Sequence, residues 1–126
     1  MFYGITESES FDNPTILNNF KHHKVIIEKR EDGKGYWHIF ILHIKNNEIQ
    51  NTTKEISKSL KADWNAMFFN NEILYTVFKD KIFKLKREYP WRSKKYLEVR
   101  QYAKDCGVGD IDFNTAFDHY NRLLNL

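Results

Sequence analysis

Tyr36-Trp37-His38-Ile39-Phe40-Ile41-Leu42-His43-Ile44 is a run of nine residues, seven of them large and apolar or aromatic and the other two histidines. In an extended strand, alternate side chains point to opposite faces. Trp37, Ile39 and Ile41 then share one face, and Tyr36, Phe40, Leu42 and Ile44 share the other. A strand that is apolar on both sides needs cover on both, which places it inside a sheet. Helices can cover one face. The second is expected to be closed by the C-terminal segments, by a ligand or by another copy of the chain, so a dimer or an internal cavity is expected there.

Upstream, Glu31-Asp32-Gly33-Lys34-Gly35 supplies turn residues, and residues 24–30 contain Val25, Ile26 and Ile27, so the two runs read as a β-hairpin. Residues 2–6 can form an opening strand. Asn13 reads as a helix cap with Pro14 at the first helical position, predicting a short helix to about Phe20. Downstream, Ile49, Thr53, Ile56 and Leu60 form one apolar stripe, predicting a helix over 47–61.

Strand-like runs follow at 64–69 and 72–78, separated by Asn70-Asn71, and at 81–86 after a tight Lys79-Asp80 connection. With two residues in that connection, Leu74, Thr76 and Phe78 share a face with Lys81, Phe83 and Leu85. Ser93 can cap a helix running to Cys106, with the stripe Tyr96, Val99, Ala103, Cys106 and with Gly107 to end it. The tail from Asn114 repeats this pattern with Phe117, Tyr120 and Leu124. The first six elements therefore run strand, helix, strand, strand, helix, strand. That is the order of a ferredoxin-like βαββαβ sandwich, an α+β fold here extended by a β-hairpin and C-terminal helices.

The chain's 126 residues suit a single domain over 1–126, and 41% hydrophobic and 29% charged residues exclude a disordered or fibrous chain. The lone Cys106 rules out an internal disulfide framework and an all-cysteine zinc site, and it fits a reducing compartment. The longest apolar run, 39–42, is far short of the roughly 20 residues of a membrane helix, and residues 1–10 lack a basic-then-apolar leader pattern. A cytoplasmic protein with no membrane association is expected.

The chain resembles an uncharacterised family of small prokaryotic α+β proteins. The resemblance rests on residues 4–10 (Gly-Ile-Thr-Glu-Ser-Glu-Ser), Trp37-His38-Ile39, residues 60–68, residues 77–85 and residues 110–113. It covers roughly residues 4 to 113 and supports the fold. The family has no assigned activity, so the resemblance implies no catalytic residues, and the tail from Asn114 lies outside the pattern.

Charge is the strongest functional lead. The net charge is +3, yet ten Lys and Arg residues lie between positions 79 and 104, leaving the rest of the chain net acidic. Interleaved with Tyr89, Trp91, Tyr96 and Tyr102, these cations have the parts for nucleic-acid binding: phosphate attraction plus rings for stacking. Lys84, Lys86, Arg87, Trp91, Arg92, Lys94 and Lys95 are the candidates. A lysine-rich surface with its aromatics turned inward is the commoner outcome of such a pattern. Lys34-Gly35-Tyr36 begins like the main motif of RNA-recognition domains, but Trp37, His38 and Ile41 then depart from it.

Other constellations are weaker. His22 and His23 are adjacent, and His38 and His43 fall on opposite strand faces, so neither pair has ligand spacing and no metal site is expected. Glu7 with Glu9, or Asp110 with Asp112, could present two carboxylates on one side, suited to a hard cation or acid–base work. Surface carboxylates or helix caps explain them as well, and Asp112 can help start the last helix. Cys106 sits where a small buried residue is ordinary, and Gly107-Val108-Gly109 lacks the strand a phosphate loop needs before it. Trp37, His38 and Trp64 are candidates to line a pocket, with core packing as the alternative.

The pattern as a whole favours a non-catalytic binding or regulatory module, without a cofactor, that self-associates as a homodimer or holds a protein partner. The rivals are a nucleic-acid binder using region 79–104 and a small enzyme with a cleft near Trp37 and Trp64.

Overall fold

The computed structural model describes residues 1–88, 93–111 and 113–125, with residues 113–117 as backbone only. The strands are β1 (Phe2–Glu7), β2 (His22–Lys29), β3 (Tyr36–Ile44), β4 (Asn65–Phe69), β5 (Ile73–Phe78) and β6 (Lys81–Lys86). The helices are α1 (Ile49–Ser59), α2 (Lys94–Asp105) and α3 (Phe113–Asn125). The architecture is α+β: one six-stranded sheet in the order β2-β3-β1-β4-β5-β6, with every neighbouring pair antiparallel.

β3 lies between β2 and β1, and its side chains divide as the alternation requires. Ile39 and Ile41 enter one core together with Ile5, Met67, Phe69, Leu74 and Phe78. Val99 and Ala103 of α2 and Leu123 of α3 close that core. Leu42 and Ile44 enter a second core with Phe2, Phe68 and Val77, closed by Leu17 and by Ile49 and Ile56 of α1. Both covers come from this chain, so a second copy is not needed to shield the strand.

The early segment differs from the expected helix. Asn13 does cap it, its Oδ1 accepting from the Thr15 N–H at 3.2 Å, but Pro14–Asn19 is a 3₁₀ segment with Phe20 as its C-terminal cap. A further 3₁₀ turn, Ser8–Ser10, follows β1 directly. Six residues bounded by Pro14 and the start of β2 are too few for a helix whose first hydrogen-bonded turn is already costly. One anchoring side chain, the fully buried Leu17, holds the segment against the sheet.

The other helices behave as their stripes predict. α1 buries Ile49, Thr52, Thr53, Ile56 and Ser57, and Ser57 Oγ donates to the Phe78 carbonyl at 2.6 Å, fastening the helix to the end of β5. Ser93 Oγ accepts from the Lys95 N–H at 3.2 Å, and α2 buries Tyr96, Val99 and Ala103. The two-residue Lys79-Asp80 turn carries Asp80 at φ 58°, and its register sets Leu74 opposite Leu85, Thr76 opposite Phe83 and Phe78 opposite Lys81. Phe117 of the predicted tail stripe lies outside the described side chains.

Gly4 is the tightest point of the sheet. It sits opposite Phe68 across β1 and β4, and a Cβ there would overlap the Phe68 ring. Phe68 is fully buried and cannot swing out. Gly4→Val is expected to cost about 1–3 kcal/mol or more through overpacking, read as a lower urea midpoint. A variant as stable as the parent would show that Phe68 has room to move.

Candidate functional site

Tyr3, Ile5 and Glu7 alternate onto the face of β1 that α3 covers, so the last of them carries a carboxylate to the edge of an apolar core. There the layers leave a cleft of about 420 Å³. Ile5, Ile39 and Leu123 form its apolar floor. Asp63 and Trp64 from the α1–β4 connection, with Asn65 at the start of β4, form one wall, and His119 and Tyr120 of α3 form the other. Trp37 meets Trp64 edge-on beside the cleft, with ring centroids 5.5 Å apart at 72°. The Arg30 guanidinium lies over Trp37 at 4.3 Å and is paired with Asp32 at 2.8 Å.

The electrostatics are one-sided. Neither Lys nor Arg is among the lining residues, which include Glu7 and Asp63. Burial, and then the negative charges of Glu9 and Glu28, push the Glu7 carboxyl up to about 7. No hydrogen bond from the described residues reaches it. Burial, followed by the charge of Glu7, also raises the Tyr120 phenol, which therefore stays protonated. His119 Nε2 stands 3.9 Å from Glu28 Oε1, too far for a hydrogen bond.

Glu9 has the opposite environment. Burial works against its charge, but Ser8 Oγ, the His38 N–H at 2.6 Å and His38 Nδ1 at 3.1 Å outweigh it and hold the carboxyl below its ordinary value. Glu7 and Glu9 thus lie close together, one poised near neutrality and the other firmly ionised.

The pocket expected at Trp37, His38 and Trp64 is assembled only in part. Trp64 lines the cleft and Trp37 packs on it, whereas His38 projects from the other face of β3 and is held by Glu9. Among the described residues, the basic candidates are divided between the two faces of the sheet. Lys84 lies across from Tyr75 and Lys86 across from Ile73, on the α1 face of the sheet. Lys94 and Lys95 open α2 on the opposite face. Arg87 turns over the Phe69 ring at 4.9 Å and donates to the Asn70 carbonyl at 3.0 Å, where burial lowers its pKa. Trp91 and Arg92 lie outside the described residues.

Asp110 accepts from Arg100 Nε at 2.7 Å and Nη2 at 2.6 Å, an ordinary surface pair, and Asp112 is outside the described residues. Half-buried Cys106 ends α2 with Sγ 3.5 Å from the Ala103 carbonyl oxygen. A register shift between His22 and Lys24 brings His23 to His43, ring centroids 5.9 Å apart, with Tyr3 stacked on His43. Among the described residues, no three His, Cys, Asp or Glu side chains gather as a metal site.

Sequence reasoning missed Asp63, Glu28, His119 and Tyr120, which reach the cleft region from three separate segments. The available signal was the alternation Tyr3-Ile5-Glu7, which marks Glu7 as inward-facing. Comparison with protein-family models, curated proteins and solved structures gives no match.

Because the folded state raises Glu7 from 4.5 to about 7, it binds that proton more tightly than the unfolded chain does. The stability this proton contributes is fully present below 4.5 and is lost as pH rises through about 7. Carboxyl carbon NMR is expected to place the Glu7 midpoint near neutrality, and Glu7→Gln to melt above the parent on the alkaline side. A midpoint in the ordinary carboxylate range would contradict the cleft electrostatics.

Proposed function

We propose that this chain is a small non-catalytic binding module that takes the positively charged group of a ligand or protein partner into the Glu7 cleft. The observation that carries this reading is Glu7 itself: a half-buried carboxylate at the edge of the core, with acidic neighbours and no donor from the described residues. A cation placed there offsets the burial, and then the repulsion from Glu9 and Glu28, that raise its pKa. Trp37 and Trp64 add aromatic surface of the kind that attracts ammonium and guanidinium groups. An acidic lining disfavours phosphate, so nucleic acid is not the ligand proposed for this cleft.

A second reading is acid–base catalysis. A carboxyl near neutrality beside His119 meets the protonation requirement for proton transfer. We further infer that β1 to β4, in the order β2-β3-β1-β4, are a ferredoxin-like unit with the Pro14–Asn19 segment in place of its first helix. In that reading β5 and β6 widen the sheet. Membership in the small prokaryotic family stands as a proposal on the same footing, as does a cytoplasmic location. Among the described residues no helix is long and apolar enough to cross a membrane.

Calorimetric titration with tetramethylammonium, butylamine and agmatine tests the binding reading. Affinity is expected to rise severalfold between about pH 6 and about pH 8 as Glu7 ionises, and Glu7→Gln is expected to flatten that dependence. Absence of binding by all three cations, or affinity that falls with pH, would remove it.

A further inference from the structure

We propose that two copies of this chain pair edge to edge through β2, antiparallel about a two-fold axis at Ile26, joining their sheets into one. β2 is an edge strand, and its backbone phase is set by the hairpin, where the Arg30 N–H donates to the Gly35 carbonyl at 2.9 Å. Counting back by twos, Glu28, Ile26 and Lys24 turn their backbone groups toward β3. Lys29, Ile27 and Val25 turn theirs outward. The His38 N–H agrees with this phase, since it leaves β2 and donates to Glu9.

An edge with outward Val25 and Ile27 can exchange both backbone hydrogen bonds between Val25 of one copy and the partner's Ile27, and again in reverse. That register sets Lys24 against the partner's Glu28 twice over, in the more closely spaced side-chain position. Moving the axis to Ile27 sets Lys24 against the partner's Arg30 instead. Moving it to Val25 sets Lys24 against the partner's Ile26. Only the Ile26 register neutralises both charges.

The side chains agree with the charges. Val25 is 48% exposed, Ile27 63% and Tyr36 56%, and all three lie on one face of the β2–β3 hairpin. They are three of the five exposed large hydrophobic residues among those described. The Ile26 register packs Val25 against the partner's Ile27 and shields this strip. Lys24 Nζ already donates to the Leu123 and Leu124 carbonyls at 3.2 and 3.3 Å, and its third hydrogen remains for the partner's Glu28. The register shift between His22 and Lys24 ends the seam, so a short, concentration-dependent interface follows. This inference is independent of what occupies the cleft.

Sedimentation velocity of the full chain across a concentration series is the test, with circular dichroism confirming that each variant folds. The parent is expected to pass from monomer to dimer as concentration rises. Ile27→Lys and Glu28→Lys, both at partly exposed positions, are each expected to raise the dissociation constant about tenfold or more. Mixing Glu28→Lys with Lys24→Glu copies is expected to restore a mixed dimer, because each lysine again faces a glutamate. A parent that stays monomeric throughout, or a dimer indifferent to Ile27→Lys and Glu28→Lys, overturns the proposal. Because Lys24 also serves the end of α3, those two variants decide the outcome even if Lys24→Glu fails to fold.

Discussion

A strand with apolar side chains on both faces must be covered twice, and here the two covers come from different parts of the chain. Pro14–Asn19 and α1 close the face that carries Leu42 and Ile44. α2 and α3, the last elements of the sequence, close the face that carries Ile39 and Ile41. The central pairing of β3 with β1 is therefore fully shielded only once the C-terminal helices are in place. Fully burying one such aliphatic side chain stabilises by about 1.5–3 kcal/mol, so each layer holds the other through the sheet between them.

The same arrangement produces the cleft. α3 crosses the sheet near the end of β1, and the apolar alternation of that strand finishes on a carboxylate, Glu7. Had the position been apolar, the core would continue to the rim. Instead a charged group is partly withdrawn from water beside Glu9 and Glu28, and its protonated form becomes competitive at neutral pH. The cleft is thus an electrostatic tension built into the fold, one that a bound cation or a retained proton resolves.

Much of the fold was legible because it follows from alternation and spacing. The two faces of β3, the stripes Tyr96-Val99-Ala103 and Ile49-Thr53-Ile56, and the β5–β6 register were all readable from residue order. The register was readable because a two-residue turn permits few pairings. The 3₁₀ character of Pro14–Asn19 was not, since a cap and a proline announce a helical start without saying how far the turn will run. The site was less accessible still. Glu7 was singled out only as one of a pair, and Trp37 and His38, neighbours in sequence, necessarily face apart in a strand. Asp63 and His119 are 56 positions apart and meet only through the packing of α3 on the sheet. Whether the basic region forms one patch was not legible, because sequence shows only proximity along the chain, while the strand-to-helix passage puts Lys84 and Lys94 on opposite sides of the sheet.

Native-state amide hydrogen exchange tests the doubly covered strand most directly. The amides of Phe40 and Leu42, which turn toward β1, are expected with their partners Thr6 and Gly4 to exchange slowest in the molecule and only through global unfolding, while those of β2, and of Ile39 and Ile41 bonded to it, exchange earlier. Fast exchange at Phe40 and Leu42, on the timescale of the hairpin turn at residues 31–35, would contradict the double cover.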